Sequence, residues 1–381
     1  MAIQRVTVLE FAPTADEIWC LPRHERDGYA RYDAEDGLLS FMDTERHAKP
    51  RPEIVTTYAG GKATNVARVL DRLLTGEDRL QVDLVTFLPP PPEGPLRELE
   101  LGKIRGTALR PSTAAGIYVQ CLQIEGLTRV RPRFEIVDEL KESGEMQTTR
   151  RCIEITLKEG SGSVNFSPRI VWSQEAAEAV LARVAEVAHG ADLVVMAGAP
   201  PVWEVSPDSD FTRNSFYARI MGTLQPDCQV SIDARGQYLS ECLLAQKAPR
   251  FVLMNTEEFD DLSEFWHELR DRSFPGTLLI HNERGCWVWD GKLPEGEEPF
   301  SEAEYFPSMS VSKVYSTIGA GDAMHAGFLK EWVDKEYLDR AVVYSQIVAA
   351  VSISNEKATH GVDARIVEDR FSQVWPEGES E

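Results

Sequence analysis

The run Ser316-Thr317-Ile318-Gly319-Ala320-Gly321-Asp322 holds the residue types best arranged for chemistry. It falls between a strand-like segment, Val311 to Tyr315, and a helix-like one, Ala323 to Trp332. Small residues at such a junction let backbone N–H groups face outward at a helix N-terminus. Unpaired donors and partial positive charge there favour an anion. Asp322, in the first helical turn, then stands beside whatever anion binds. A cradle for phosphate charge next to a carboxylate that can take a hydroxyl proton suits phosphoryl transfer. The plainer alternative is a Gly-rich turn whose Asp complements the helix dipole.

A second Gly-rich junction lies far upstream, Gly60-Gly61-Lys62-Ala63-Thr64-Asn65-Val66-Ala67-Arg68-Val69-Leu70. Its glycines let a ligand approach the backbone closely. Lys62 is a mobile point charge suited to a phosphate oxygen, and Asn65 can both donate to and accept from a sugar hydroxyl. Read blandly, the same residues are an exposed Lys on a turn and a helix N-cap.

Together the two segments resemble the PfkB (ribokinase-like) family of carbohydrate kinases, and within it the 1-phosphofructokinase and tagatose-6-phosphate kinase branch. The resemblance implies an α/β fold: a three-layer αβα domain over 1–375 with a mainly parallel sheet. A small projecting β lid would draw strands from about 17–57 and 112–170, and 376–381 would be a frayed tail. It implies ATP and Mg²⁺ as reactants and a sugar or sugar phosphate as acceptor, of the fructose 1-phosphate, fructose 6-phosphate or tagatose 6-phosphate type. It also implies a lid that can pair two subunits into a homodimer.

Residue by residue, the resemblance makes Asp322 the catalytic base and Gly319, Ala320 and Gly321 the anion hole. Gly60, Gly61, Lys62 and Asn65 would bind the sugar, with Lys62 suited to a phosphorylated one. Asp16, in Ala12-Pro13-Thr14-Ala15-Asp16, matches an Asp that binds sugar hydroxyls, and Thr149-Arg150 matches a pair that holds substrate phosphate. Asn255 and Glu258 fit an Asn-x-x-Glu pattern that organises Mg²⁺ and nucleotide phosphates, although a helix cap has the same spacing. Thr317 and Gly285 fall at nucleotide-binding positions. The chain departs from the pattern at Ala12, Ala63 and Leu253-Met254. The turn that touches ATP phosphates in the family reads Ile280-His281-Asn282-Glu283-Arg284-Gly285, keeping only its last Gly. Four prolines, Pro89 to Pro92, replace a Gly-Gly turn. These changes motivate a second reading, a catalytically impaired relative that binds a sugar phosphate as a sensor or scaffold. A kinase for a nucleoside or another alcohol is a third, which Lys62 disfavours.

Composition narrows the field. With 381 residues the chain can bury a full core, and 43% hydrophobic and 27% charged residues are ordinary for a globular protein. A net charge of -22 argues against nucleic acid and anionic membranes as partners. The six cysteines form no CxxC pair and no zinc-like cluster, no apolar run approaches membrane-spanning length, and residues 1–6 lack a signal core, which together predict a cytoplasmic protein.

The elements that must position these residues follow from periodicity. Strands are predicted at Arg5 to Phe11, Val82 to Leu88, Asp192 to Met196, Gln229 to Asp233, Phe251 to Met254 and Leu278 to His281, the last paired with Cys286 to Trp289. Helices are predicted at Gln174 to His189, Arg213 to Leu224, Glu257 to Arg270, Asp322 to Trp332 and Tyr337 to Ser354. Ala114 to Ile124 and Arg150 to Leu157 read as strands of the projecting sheet, around a charged segment from Arg129 to Glu145. His325 reads as a satisfied helix residue, and Trp287 and Trp289 as core or interface.

Overall fold

In the computed structural model the predicted apolar runs become neighbouring strands of one sheet. The structure describes residues 3–21, 30–33, 38–41, 54–75, 80–90, 113–140, 149–157, 163–166, 170–203, 211–262, 265, 269, 274–293, 299–355 and 357–376. β1 (Arg5–Glu10) is followed by β2 (Thr14–Leu21), β3 (Ala30–Asp33), β4 (Leu38–Phe41), β5 (Ile54–Gly60), α1 (Lys62–Leu73) and β6 (Gln81–Leu88). Next come α2 (Ala114–Glu125), β7 (Val130–Ile136), β8 (Arg150–Leu157) and β9 (Ser163–Phe166). An alternating stretch follows: α3 (Gln174–Val187), β10 (Leu193–Ala197), α4 (Phe216–Thr223), β11 (Gln229–Asp233), α5 (Gly236–Leu244), β12 (Phe251–Asn255), α6 (Thr256–Asp260) and β13 (Thr277–Asn282). The hairpin partner β14 (Gly285–Asp290) and β15 (Glu304–Pro307) precede α7 (Ala320–Lys335), α8 (Leu338–Ile353) and α9 (Ala364–Val374).

The main sheet has the order β15-β14-β13-β12-β11-β10-β1-β6-β7. From β13 to β7 every pairing is parallel; β14 and β15 are antiparallel. Strands buried on both faces read as continuous apolar runs, because successive side chains enter opposite layers. Leu193, Val195 and Leu279 pack into the core shared with α1, α7 and α8, while Val194, Met196, Leu278 and Ile280 pack into the core shared with α3, α4 and α5. The resulting helix–sheet–helix layering is the three-layer architecture expected from the sequence.

A second sheet, β5-β2-β8-β9, forms the lid, and β3 pairs with β4 as a separate hairpin. Only residues 11–13 separate central strand β1 from lid strand β2. In register, Thr14 lies opposite Gly60 on one side and Arg150 on the other, and Asp16 opposite Tyr58 and Cys152. The substrate-binding candidates from three stretches of sequence therefore meet at the base of the lid.

Several expectations need correction. Ala114 to Ile124 is helix α2, not a lid strand. Thr113 caps it by accepting from the Gly116 N–H, and Gly126 ends it in the left-handed region at φ 64°. Its buried residues Ala115, Tyr118, Val119 and Leu122 keep helical spacing, which outweighed the β-branched content. Within the charged segment, β7 joins the edge of the main sheet, so residues 112–170 supply the lid with β8 and β9 alone among the described residues. Val311 to Tyr315 is a loop, because its two valines, three apart, match no strand period. The helix expected from Arg213 begins at Phe216, and α6 is described only to Asp260. Helix α5 was not anticipated. Pro89 and Pro90 follow β6 directly, whereas Pro91, Pro92 and the expected tail residues 377–381 lie outside the described residues.

Helix α7, which carries Asp322, is locked against α8 by a glycine. A Cβ on Gly327 would come within 2.8 Å of Val348 Cγ2 and 3.0 Å of the Ser345 Cα. Gly327→Ala is therefore expected to lower stability by about 1–3 kcal/mol through overpacking. Denaturant unfolding measures it; an unchanged midpoint would mean the two helices separate without cost.

Candidate active site

The first corner is built around a buried carboxylate. Glu10, at the end of β1, accepts from the Thr64 N–H at 2.8 Å and the Thr64 hydroxyl at 3.0 Å through Oε2, and from the Ala12 N–H at 2.9 Å through Oε1. It thereby serves the N-terminus of α1, whose N-cap, Gly61, has no side chain to do so. Gly61 is required twice over: its φ is 114°, and a Cβ there would strike Glu10 Oε2 at 2.3 Å. Gly60 leaves room for the Asp16 carboxylate, which would lie 1.8 Å from a Cβ at that position.

The second corner is the start of α7. Gly319, at φ 75°, is its N-cap, and no side chain caps this end. A Cβ on Gly319 would meet Thr359 at 2.7 Å. The Ala320 N–H turns back to the Thr317 carbonyl at 3.2 Å. Of the outward donors expected of Gly319, Ala320 and Gly321 at the positive end of the helix, that of Ala320 is thus turned inward.

The two corners touch. Asn65 Nδ2, on α1, donates to Asp322 Oδ2 at 2.8 Å. Lys62 Nζ lies 2.8 Å from Asp233 Oδ1 and 3.4 Å from Glu258 Oε1. Its ammonium is thus turned toward the ends of β11 and β12. Burial opposes the Lys62 charge, but Asp233, Asp322 and Glu258 outweigh it and hold this ammonium above its usual range. Asp233 is fully buried; Lys62 and nearby His325 overcome that burial and keep its carboxyl below the usual range.

Asp322 behaves in the opposite sense. Burial pushes its carboxyl up to about 7, with Asp233 and Glu10 adding repulsion, while Lys62 and the Asn65 amide pull the other way. Such a group can hold a proton or release it near neutrality, the property a general base needs. The two imidazoles close by are held neutral by burial, both pushed down to about 4. His325 Nε2 bonds the Ser231 hydroxyl at 2.7 Å, but its buried Nδ1 has no partner among the described residues, so the reading as a satisfied helix residue holds for one nitrogen only.

On the far side, Asn255 and Glu258 form a capping box: Glu258 N–H donates to Asn255 Oδ1 at 2.8 Å and Asn255 N–H to Glu258 Oε2 at 3.0 Å. Both residues nevertheless line the cavity, so the capping and ligand readings coexist. In the altered turn, Ile280 faces the core, and His281, Asn282, Glu283 and Gly285 line the cavity. A Cβ on Gly321 would sit 3.4 Å from the His281 ring, so this imidazole fills the space beside the helix terminus. Arg284 and Glu283 are exposed and 3.9 Å apart. Among the described residues no cluster of three His, Cys, Asp or Glu could cage a metal. A Mg²⁺ that keeps most of its waters and rides on nucleotide phosphates needs only one or two carboxylates, and Glu258 Oε1 fits that limited demand.

These groups surround a cavity of about 850 Å³, ample for two small ligands. Asp16, Gly61, Lys62, Asn65, Cys152, Asn255, Glu258, Thr317 and Gly319 to Asp322 all line it. Met309, Val311, Val314 and Ile353 add an apolar slot beyond Thr317. Gly60 lies just behind Asp16. The Arg150 backbone sits beside Thr14, and its side chain lies outside the described residues. Sequence reasoning missed Glu10 and Arg68. Their signal was a charged residue in an otherwise apolar buried stretch. No described helix is long and apolar enough to cross a membrane.

Comparison with known proteins agrees with this geometry. The family described as pfkB family carbohydrate kinase matches residues 137–365. No curated protein sequence matches the chain. Among solved structures, the fold resembles phosphofructokinase-2 from Escherichia coli in complex with fructose-6-phosphate, with TM-score 0.63 and 15% identity over 98% of this chain and 99% of that one. It also resembles a possible 1-phosphofructokinase from Thermotoga maritima, with TM-score 0.64 and 13% identity over 97% and 98%. A Methanocaldococcus jannaschii nucleoside kinase aligns with TM-score 0.58 and 15% identity over 98% and 99%.

The ionisation of Asp322 has a consequence for stability. Its folded carboxyl, near 7, lies above the ordinary 3.8, so the folded state binds a proton that the unfolded state has already released. Stability contributed by this group is present at acid pH and lost as pH rises toward 7 and beyond. Asp322→Asn is expected to abolish that loss, gaining on the order of 1–4 kcal/mol over wild type at pH 8 and little at pH 4. Denaturant midpoints at the two pH values check this; an equal difference at both would contradict the assignment.

Proposed function

The chain belongs to the pfkB family of carbohydrate kinases, and from that membership we propose that it transfers the γ-phosphoryl group of ATP to a hydroxyl of a sugar phosphate. The observation that carries the reading is the contact of Asn65 with Asp322, which sets a carboxyl titrating near 7 against the acceptor corner and the helix terminus at once. The acceptor lies against Asp16, Gly60 and Asn65. Asp322 removes the proton of its hydroxyl as the oxygen attacks the γ-phosphorus, and the bond to the ADP oxygen breaks. N–H groups at the start of α7 hold charge on the transferring group. Lys62, between the carboxylates and the cavity, offers its ammonium to the same phosphoryl oxygens. Mg²⁺, held by nucleotide phosphates with help from Glu258, would neutralise phosphate charge.

A sugar phosphate is favoured over a free sugar because Arg150 starts β8 directly beside Thr14 and the acceptor corner. Fructose 6-phosphate, the ligand of the E. coli relative, is the first candidate, with fructose 1-phosphate and tagatose 6-phosphate next. The lid sheet is the surface through which two subunits would pair. No observation among the described residues favours a sensor without catalysis.

Two measurements test the proposal. In a panel of sugars and sugar phosphates with ATP–Mg²⁺, ADP release should be greatest with one of these three, and kcat/KM should climb as pH rises through about 7. Asp322→Asn should cost about 10²–10⁴-fold in kcat; near-wild-type turnover would remove Asp322 as the base, and a silent panel would defeat the kinase reading. Lys62→Ala should act mainly on kcat, lowering it about 10²-fold or more as a phosphoryl-stabilising charge is lost. A pure rise in KM for the acceptor would return Lys62 to the sugar side.

A further inference from the structure

Beneath the site lies a set of buried polar groups that do not themselves line the cavity described above. Arg68 follows Asn65 by three residues on α1 and has no exposed surface. Its Nε donates to Glu125 Oε2 at 2.9 Å and its Nη2 to Glu125 Oε1 at 3.0 Å. Nη2 also donates to the Ala59 carbonyl, and Nη1 donates to Asn65 Oδ1 at 2.5 Å. Glu125, the last residue of α2, also meets an imidazole that burial holds neutral, pushed down to about 4: His360 Nε2 is 3.4 Å from its Oε1, and the His360 ring packs on Tyr58 with centroids 3.9 Å apart. Burial opposes ionisation of Glu125, yet His360 and Arg68 bring its carboxyl down to about 2, so it stays charged.

An amide has an accepting end and a donating end, and its neighbours decide which faces where. The guanidinium offers only donors and so claims Oδ1 of Asn65, leaving Nδ2 for the Asp322 carboxylate. The reverse orientation would set Oδ1 against a carboxylate oxygen and the NH₂ group against the guanidinium, two mismatches in a buried place. We propose that Arg68, anchored by Glu125, is a positioning residue that fixes the orientation of the Asn65 amide, so that Asn65 engages one Asp322 oxygen and leaves the other for the acceptor hydroxyl. The proposal deepens the kinase reading and rests on it for its catalytic meaning. Arg68 reaches the reaction only through Asn65. The charged groups that act on Asp322 directly are Lys62 on α1, Asp233 at the end of β11 and Glu10 on β1, with neutral His281 and His325 nearby; none of these touches Arg68 by the bonds above.

A staple that merely joined α1 to α2 would need the Arg68–Glu125 pair alone, and Arg68→Lys separates the two roles. Lysine keeps the charge and can still meet Glu125, but it lacks the fork that reaches Asn65 as well. The readout is a carboxyl-carbon NMR titration of ligand-free protein labelled at aspartate, with the Asp322 signal identified by its absence in Asp322→Asn. Loss of the amide donor should raise the Asp322 midpoint by about half a pH unit or more in Arg68→Lys. Asn65→Ala should raise it similarly, and Arg68→Lys on top of Asn65→Ala should add nothing. Glu125→Gln, which keeps shape and one acceptor, should move the midpoint the same way by less, and it carries the test if the lysine variant does not fold. In turnover, Arg68→Lys should lower kcat about tenfold with KM for ATP within about twofold. A midpoint unmoved in the folded variants, or shifts that sum in the double variant, overturns the proposal. A wild-type protein with no kinase activity would instead sink the functional reading and leave the titration interpretable.

Discussion

A 2.8 Å hydrogen bond between Asn65 and Asp322 joins positions 257 residues apart, and the organisation of the molecule can be read as what that contact demands. One partner heads a helix that leaves the lid, and the other heads a helix laid across the same face of the main sheet. Neither helix finds its place without the sheet beneath them, because both bury their apolar sides in one shared core. Glycine at the two helix starts is a consequence: positive φ at Gly61 and Gly319 lets the backbone turn sharply, and the missing side chains let Glu10 and Thr359 fill the space instead.

The electrostatics follow from the same crowding. Among the described residues lining the cavity, Lys62 is the one Lys or Arg, set against Asp16, Asp233, Glu258 and Asp322. Burial alone would neutralise several of these carboxyls. Lys62 resolves the competition unevenly, pairing closely with Asp233 and leaving Asp322 with only partial relief. Two carboxyls of similar burial thus diverge, one held ionised and one poised near neutrality.

Much of this was legible before any coordinates. The Gly-rich corners announced themselves because few other residues adopt the backbone they need, and the parallel strands because burial on both faces leaves uninterrupted aliphatic runs. The Asn255 to Glu258 spacing was legible as a cap and proved to be one. Helix α2 was misread because Ile117, Val119 and Ile124 drew attention to β propensity, while the i, i+3, i+4, i+7 set of Ala115, Tyr118, Val119 and Leu122 carried the correct period. The direction of the Lys62 ammonium was beyond reach, since it depends on Asp233, which lies 171 positions away and enters only through the order of the strands. Glu10 and Arg68 were overlooked for a related reason: a charge inside an apolar stretch looks like an exception until its partners, Thr64 and Glu125, fold onto it.

The order of these pieces along the chain has a consequence for biosynthesis. A ribosome delivers the Gly60–Gly61 corner early, and the helix bearing Asp322, with the helix that braces it, only in the last fifth or so of the 381 residues. Every nascent product that stops before this pair lacks the Asn65–Asp322 contact, however well its sheet has formed. The joined corners therefore arise late and all at once.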